Sequence, residues 1–467
     1  MTVRQSTDSA LVRHVYLRAE CSTCHSSATW PASGPDDLTI RREERRKSGP
    51  AMELSEDADR PHISPRETDS TGLPVRAGDY RYLGDFPSPE AGPVPRLTAV
   101  SLFSGALGLD LGFELASYDI RFACDNLPAA VETIRANRPN LPVYDGDIRS
   151  LSGEEILRLA GLRKSELDVV IGGPPCQSFS TAGLRRGLDD ADRGTLVFEY
   201  ARILKELRPR AFVMENVKGL LSSPKHYMKM PRENNGRWIP GVHGILLKDL
   251  LAEISGLGYS IQHRLLNSAD FGVPQVRNRV FFIGFLDGRE ASFPQPTHSQ
   301  HGRGGLPRWV TVGSVLRNLR GDDSFRNSFS QRKLKYLRLV PEGGNWRSLP
   351  RHLQKESMGR AFYAKGGRTG WWRRLSFDEL APTLLSEPQN SGTALCHPRE
   401  NRPLTVREYA RIQTFPDDWE LRGKGMDQYR MLGNAVPVRL SMHVARRVRD
   451  DFARRRKRVR VAPLATC

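Results

Sequence analysis

From about residue 96 onward, short apolar runs alternate with longer stretches of helical periodicity. Short apolar runs bounded by glycine or turn residues are typical of buried strands, and an apolar position every third or fourth residue is typical of a helix. Their regular alternation predicts an α/β fold with a largely parallel, doubly wound sheet. The predicted strands are Leu97–Phe103, Ile120–Cys124, Val169–Ile171, Ala211–Met214 and Val280–Phe285, and the clearest helices are Leu196–Leu207 and Gly244–Gly256.

Two stretches depart from this alternation. Residues 1–95 are rich in Ser, Pro, Arg, Glu and Asp and have little apolar periodicity, which predicts a disordered or loosely folded extension. Residues 297–401 combine Gly, Arg, Trp and Pro without a clear period, which predicts a separate small domain. Residues 96–296 therefore form the first part of the main domain, and 402–467 return to it with a basic last helix, Val438–Arg460.

The net charge of the chain indicates which kinds of partner it is expected to bind. Lys and Arg number 71 against 53 acidic residues, which gives a formal net charge of +18 in 467 residues. Such an excess favours a polyanionic partner, either nucleic acid or an acidic membrane surface. No apolar run approaches the length of a membrane span, and the first residues lack the apolar core of a secretory signal. We therefore expect a cytosolic protein.

Cys21, Cys24 and His25 match the C-x-x-C-H pattern of haem attachment and also half of a zinc site. Haem attachment needs export, and no second cysteine pair follows at zinc-ribbon spacing. The sequence therefore predicts no metal. The few cysteines are expected to be reduced thiols.

The segment Gly172–Ser180, GGPPCQSFS, follows the predicted strand at Val169–Ile171. It puts Cys176 on a rigid Pro-Pro turn just beyond the carboxyl end of a strand, where open α/β sheets bind ligands. A lone cysteine is more often buried and inert. The flanking glycines and polar residues favour a nucleophile instead, and the polar loop that follows, to Leu196, has the length of a functional lid.

A glycine-rich turn, Phe103–Asp110, follows the first strand, and acidic residues follow the next two strands. Asp125 at the end of the second strand is suited to accept hydrogen bonds from ribose hydroxyls, and Asp147 could meet an adenine amine. Each acid alone is commonly a turn residue. Together they favour a nucleoside-containing cofactor, and NAD fits this pattern as well.

Two further segments carry polar side chains next to predicted strands. Glu215 follows Ala211–Met214 and could be a general acid, or an ordinary turn residue. Gln275, Arg277 and Arg279 alternate before the last strand, so they share one side of an extended segment. That side could be a clamp for an anion or a carbonyl, or a structural salt-bridge network.

Taken together, these segments resemble the DNA cytosine-5 methyltransferase family of bacterial restriction–modification systems. The resemblance covers about residues 96 to 450 and follows the family's order. Two positions depart from it: Leu107 stands where a second glycine is usual, and is expected to tighten the cofactor pocket, and Asp125 replaces the commoner glutamate. The matching segments are FSGALGLDLGF, GGPPCQSFS, ENV, QVRNR, RPLTVREYARIQTFP and GNAVP.

The resemblance implies that a methyl group passes from S-adenosylmethionine to carbon 5 of a cytosine in duplex DNA. The Cys176 thiolate would add to carbon 6, because carbon 5 is otherwise too electron-poor to attack the methyl donor. A protonated Glu215 would contact ring nitrogen 3, and Arg279, supported by Arg277, would contact the carbonyl. The cytosine would be flipped out of the helix, with residues 177–196 as the lid.

The resemblance also implies binding residues. The main domain becomes an S-adenosylmethionine-binding catalytic domain, and 297–401 becomes the target-recognition domain, in which Trp371 and Trp372 are interpreted as core residues. Expected cofactor-binding residues are Phe103, Ser104, Gly105, Gly108, Asp125, Asp147, Ile148, Pro175, Asn434 and Ala435. Expected DNA-binding residues are Gln177, Ser180, Arg185, Arg186, Gln275, Arg368, Arg373 and Arg374.

Three other functions remain as alternatives: an RNA cytosine-5 methyltransferase, a catalytically idle DNA-binding protein and an NAD-dependent dehydrogenase. The sizeable irregular domain favours DNA over RNA, and Cys176, Glu215 and Arg279 favour an active enzyme. The expected protein is a monomer associated with the nucleoid through DNA. A restriction endonuclease that shares its target sequence, without direct contact, is a candidate partner.

Overall fold

The computed structural model describes residues 96–175, 196–222, 245–319, 321–363, 370–389 and 394–460. The expectations for the N-terminal extension and for the lid after Pro175 lie outside these ranges. Across the described ranges, no helix combines the length and the apolar character that a membrane span requires.

A seven-stranded sheet forms the centre of the main domain, in the order β3-β2-β1-β4-β5-β8-β6. Neighbours from β3 to β5 are parallel, and β8 is antiparallel to both β5 and β6. The predicted α/β class with a largely parallel sheet is confirmed. The strands of this sheet are β1 Leu97–Leu102, β2 Tyr118–Asp125, β3 Val143–Asp145, β4 Val169–Gly172, β5 Ala211–Val217, β6 Ser260–Asn267 and β8 Asn278–Phe285. The short strand β7, Gln275–Val276, belongs to a separate two-stranded sheet.

Helices cover both faces of this sheet. Alternate residues of β1 point to opposite faces, so that Val100 belongs to the apolar cluster of α3, α4 and α5, and Ala99 to that of α1 and α11. The helices are α1 Gly108–Leu115, α2 Pro128–Asn137, α3 Gly153–Ala160, α4 Leu196–Leu207, α5 Ile245–Gly256, α6 Val312–Leu316, α7 Gln331–Leu337, α8 Arg351–Met358, α9 Val406–Ile412, α10 Gly425–Asn434 and α11 Val438–Arg460.

The irregular region after residue 296 contributes to two apolar clusters. One is its own and includes Tyr336, Trp346 and the buried Trp372, as the core interpretation of that tryptophan predicts. The other is shared, because α6 packs with α9 and α10. The described part of this region contains three short strands, β9 Arg373–Arg374, β10 Ala381–Pro382 and β11 Leu395–Cys396.

Helix α1 packs closely on α11 because its glycines leave room for the backbone of the partner helix. A Cβ atom on Gly112 would lie 2.4 Å from the amide nitrogen of Met442 and 2.4 Å from the Cβ of Ser441. The Ser441 hydroxyl donates to the carbonyl of Leu109 across the same contact. This contact thus fixes α11 against α1.

The Gly112→Ala substitution is expected to lower the free energy of unfolding by about 1–3 kcal/mol, because the added methyl group overpacks this contact. Gly256 in α5 is the matched control, since nothing lies within 4 Å of its Cβ position. There alanine is expected to be neutral or to stabilise by about 0.5–1 kcal/mol. Urea unfolding of both variants measures the difference, and equal stabilities would contradict the packing argument.

Candidate active site

The predicted site segments lie along one edge of the sheet. Strands β2, β1, β4 and β5 are adjacent and parallel, so their carboxyl ends point the same way. Asp125 ends β2, Phe103 follows β1, Gly173 follows β4 and Glu215 lies near the carboxyl end of β5. Ligands of open α/β sheets bind at this edge.

Hydrogen bonds within the protein fix the conformation of the turn after β1. The Asp125 carboxylate accepts hydrogen bonds from the amides of Gly105 and Leu127, at 2.8 and 2.9 Å. Burial raises the pKa of Asp125, while these amide bonds lower it. A carboxylate has about four acceptor sites, so Asp125 keeps capacity for hydroxyl donors.

Gly108 lets a distant part of the chain reach this turn. Its Cβ position lies 2.4 Å from the carbonyl oxygen of Val436 and 3.2 Å from the Cβ of Ala435. Only a glycine permits this approach, which brings Asn434 and Ala435 next to the turn after β1. Two groups of predicted cofactor residues, far apart in sequence, are therefore together.

Asp147 and Ile148 follow β3, at the outer end of the same edge. Asp147 begins a single helical turn and pairs with Arg149 at 2.7 Å, which holds the pKa of its carboxyl below the usual value. The side chain of Asp147 is 37% exposed, whereas Ile148 is buried. A ligand at Asp147 would therefore meet a carboxylate already paired with an arginine.

Glu215 and Arg279 form a buried ion pair at the centre of the edge. Oε1 of Glu215 lies 2.8 Å from Nε of Arg279, and their side chains are 9% and 12% exposed. Burial raises the pKa of Glu215, although Arg279 and Arg277 both lower it. Burial therefore favours the protonated acid, and the two arginines oppose it.

The chain that leads to Cys176 begins against this pair. A Cβ atom on Gly173 would lie 3.1 Å from Oε2 of Glu215, and Asn216 donates to the carbonyl of Pro174 at 3.1 Å. Pro175 is partly buried and is the last described residue of this segment. Cys176 itself, with Gln177, Ser180, Arg185, Arg186 and Arg368, lies outside the described residues.

Arg277 and Gln275 have roles other than those expected. Arg277 is fully buried, and its guanidinium donates to the carbonyls of Leu384, Gly433 and Asn434. Gln275 is also fully buried and bonds to Gln413 and to the amide of Leu384. Both side chains are thus held by partners within the protein, and Leu384 bonds to each of them.

Gln413 is the site residue that the sequence analysis missed. It is fully buried, accepts from Gln275 at 2.9 Å, and donates to the carbonyls of Leu432 and Ala435. It therefore fixes the turn that carries Asn434. Its position within the matching segment Arg402–Pro416 could have marked Gln413 as a site residue. No pattern in the sequence indicates that its side chain bonds to Gln275.

Arg373 and Arg374 are adjacent in sequence but differ in burial. Arg374 is 5% exposed, and its guanidinium donates to five oxygens within the small region, so its donors already have partners in the protein. Arg373 is partly buried, and burial lowers its pKa. The acceptors of Arg374 are the carbonyls of Leu337, Val340, His397 and Glu400 and the side chain of Asn401.

The sheet order and the position of these residues at its carboxyl edge are those of a Rossmann-like α/β fold. The fold is similar to that of the Entamoeba histolytica methyltransferase EhMeth, with a TM-score of 0.51 and 17% identity over 77% of this chain and 99% of that one.

Sequence comparison gives the family. The family model of C-5 cytosine-specific DNA methylases matches residues 97–450, and the chain belongs to this family. It is a DNA (cytosine-5) methyltransferase. Type II methyltransferase M.PspPI of Psychrobacter sp. (strain TA137) is 39% identical over 366 residues, which is 76% of this chain and 80% of that protein. Type II methyltransferase M.Eco47II of Escherichia coli is 37% identical over 363 residues, 75% and 78% of the two chains.

The Arg374→Met substitution is expected to lower the free energy of unfolding by about 3 kcal/mol or more, since it leaves buried carbonyls without a donor. Arg373→Met is the neighbouring control and should destabilise less, because that side chain is only partly buried. Urea unfolding compares the two. If Arg374→Met were instead as stable as the wild type and bound DNA more weakly, the result would assign Arg374 to DNA recognition.

Proposed function

We propose that this methyltransferase acts on carbon 5 of a flipped-out cytosine, within a specific duplex DNA sequence, through a covalent bond to Cys176. The observation that carries the proposal is the buried Glu215–Arg279 pair beside the segment Gly173–Pro175. A proton donor and a fixed cation at this distance suit the polar edge of a cytosine, which offers a ring nitrogen and a carbonyl.

The proposed methyl donor is S-adenosylmethionine, which when bound would supply an electrophilic methyl group. The residues at the sheet edge fit such a cofactor: the turn after β1 has a glycine in a left-handed conformation, at Gly105, and a carboxylate with free acceptor capacity, at Asp125. Because Gly108 has no side chain, the carbonyl of Val436 can approach the start of α1 closely beside this turn. The residues proposed to hold it are Phe103, Ser104, Gly105, Gly108, Asp125, Asp147, Ile148, Pro175, Asn434 and Ala435.

In the proposed reaction, the Cys176 thiolate forms a bond to carbon 6 and electron density moves to carbon 5. Glu215 donates its proton to ring nitrogen 3, which takes up the charge that would otherwise develop there. Arg279 contacts the carbonyl oxygen. Carbon 5 would take the methyl group as the bond between that group and the sulfonium sulfur breaks. Transfer of the carbon 5 proton to a base, departure of the thiolate and return of the nitrogen 3 proton to Glu215 would then restore the aromatic ring.

The proposed DNA contacts come from two regions. Residues 177–196 would close over the flipped cytosine, with Gln177, Ser180, Arg185 and Arg186 near phosphates. Arg368 and Arg373 would contribute from the target-recognition region. The net charge of +18 supports binding to a polyanion. M.PspPI and M.Eco47II carry the name Type II methyltransferase, and we propose that this chain likewise protects host DNA against an endonuclease that shares its target.

Duplex DNA that contains 5-fluorocytosine tests the covalent step, because fluorine on carbon 5 prevents the final elimination. The wild-type protein is expected to form an adduct that survives a denaturing gel. Cys176→Ala should form none and should lose methyl transfer from labelled S-adenosylmethionine by about a thousandfold or more. Bisulfite sequencing of DNA from expressing cells then gives the target.

Cys396→Ala is the control for this test, because Cys396 lies in the small region, buried and away from the sheet edge. It should retain the adduct and the activity. An active Cys176→Ala variant would overturn the proposed mechanism, and methylation of transfer RNA but not of duplex DNA would overturn the proposed substrate.

The pH dependence tests Glu215. Its pKa is raised by burial, so the protonated acid is present below that pKa and is lost as the pH rises through it. The methyl-transfer rate at saturating cofactor is expected to fall on the alkaline side. Glu215→Gln cannot titrate and should be slower, without this fall. A falling limb that persists unchanged in Glu215→Gln would assign it to another group.

A further inference from the structure

An exposed loop with two arginines lies at residues 297–309, and the proposed function has no role for it. We call it the 297–309 loop, and its sequence is THSQHGRGGLPRW. No Asp or Glu occurs between residues 291 and 321. Arg303 and Arg308 are exposed, and neither forms an ion pair in the part of the chain that the structure describes. The loop therefore presents positive charge to solvent.

Asp270 fixes both ends of the 297–309 loop to the main domain. Its carbonyl accepts a hydrogen bond from the amide of Thr297 at 2.9 Å, and its carboxylate accepts one from the indole of Trp309 at 3.0 Å. Within the loop, the amide of Ser299 donates to the carbonyl of Pro307 at 2.9 Å, and its carbonyl accepts from the amide of Trp309 at 3.1 Å. The position of the loop thus follows from that of Asp270.

The register of the sheet places Asp270 at the edge that carries the candidate active site. Strand β6 ends at Asn267, which pairs with Asn278 at the start of β8, one residue before Arg279. The short helix Ser268–Phe271, which contains Asp270, follows β6 directly. Because β8 is antiparallel to β5, the start of β8 lies at the carboxyl end of β5. The 297–309 loop is therefore attached to the same edge as the Glu215–Arg279 pair.

The loop lies to one side of the proposed cytosine position. Strand β6 is the second neighbour of β5 in the sheet. Neighbouring strands are about 4.8 Å apart, so the ends of β5 and β6 are about 10 Å apart. Base pairs follow one another at about 3.4 Å along a duplex. A duplex that runs along this edge, with its cytosine at Glu215, would bring to the loop phosphates that lie about three or more base pairs from the target.

The tip of the loop allows close approach of a ligand to the backbone. Gly302, Gly304 and Gly305 have φ of 69°, 68° and 77°, a conformation that favours glycine. Nothing lies within 4 Å of the Cβ positions of Gly304 and Gly305, so no packing within the described residues requires glycine there. Turns of successive residues in such conformations present backbone N–H groups to anions. The tip and Arg303 together suit a phosphate.

Further cations lie behind the base of the loop. The Cβ position of Gly272 is 2.8 Å from Cε1 of His298 and 3.0 Å from Nε of Arg439, so the start of α11 meets the loop here. Burial and the Arg439 guanidinium lower the pKa of His298. Burial, with Arg439 and Arg446 nearby, lowers the pKa of His443 to about 4. The two histidines are therefore neutral at neutral pH, and arginines supply the positive charge of this surface.

We propose that the 297–309 loop binds phosphates of duplex DNA that lie outside the target sequence, through Arg303, Arg308 and the glycine tip. The inference rests on the proposed function, because it takes a duplex with a flipped-out cytosine as the substrate. Phosphate contacts carry no sequence information. The loop thus adds affinity and orients the duplex along the sheet edge without selecting the target.

The test is the salt dependence of DNA affinity, measured by fluorescence anisotropy. The duplex carries the sequence found by bisulfite sequencing and extends about ten base pairs beyond it on each side. Each phosphate contact contributes about 0.9 to the slope of log K against log salt. Arg303→Gln combined with Arg308→Gln should therefore reduce the slope by about 1.8 and weaken binding at about 0.1 M salt by about tenfold to a hundredfold. Thermal unfolding checks that the variant is folded.

Arg135→Gln combined with Lys205→Gln is the matched control, because it removes the same charge from the opposite edge of the sheet. Both residues are exposed and lie in the last turns of α2 and α4, helices that return from the carboxyl edge to the amino edge. This control should keep the wild-type slope. Arg303→Lys combined with Arg308→Lys retains both charges and should keep most of the slope. On a duplex trimmed to about two base pairs beyond the target, the wild type and the glutamine variant should bind equally.

Equal slopes for the wild type and the glutamine variant at Arg303 and Arg308 would overturn the loop contact and leave the proposed methyl transfer intact. Equal losses in that variant and in the control would also overturn it, since the effect would then belong to net charge alone. A loss that persists on the trimmed duplex would overturn the position outside the target. A wild-type protein that neither methylates nor binds duplex DNA would overturn the proposed function, and the loop contact with it.

Discussion

The buried guanidinium of Arg277 joins three parts of the chain that are distant in sequence. It lies just before β8, and it donates to Leu384 in the irregular region and to Gly433 and Asn434 at the carboxyl end of α10. The last carbonyls of a helix have no partner within it and carry partial negative charge. One cation therefore satisfies a helix end and fixes the turn that reaches Gly108. The turn after β1, the irregular region and the sheet edge are therefore linked through this contact.

Arg277 and Arg279 show how two identical side chains on one side of a strand acquire different chemistry. Arg277 is surrounded by carbonyl oxygens, so its charge is used for structure. Arg279, two residues further along, faces the Glu215 carboxylate at 2.8 Å. Burial raises the pKa of Glu215, and the cation opposes that change. Burial and the neighbouring cation thus act in opposite directions on the same carboxyl group.

The sequence predicts features that depend on local pattern. Strands such as Ala211–Met214 are recognised because continuous apolar residues mark a buried parallel strand. It does not predict β6, an edge strand with exposed His263 and Arg264, because only one of its eight positions, Leu266, is buried. Nor does it separate Arg374 from Arg373. Which of two adjacent arginines finds buried carbonyls depends on tertiary contacts that no spacing in the sequence encodes.

The turn after β1 accommodates Leu107 in a left-handed backbone conformation, which favours glycine. Phe103 and Leu107 both have left-handed backbones, with φ of 56° and 63°, and such residues cost of order 1–3 kcal/mol each. The conformation persists because the surroundings fix it: the amide of Ser104 donates to Cys124, and that of Leu107 donates to Ser104. The Leu107 side chain is 1% exposed and belongs to the apolar core, which offsets the strain. A turn constrained in this way loses little further entropy when a ligand binds, and this preorganisation favours affinity.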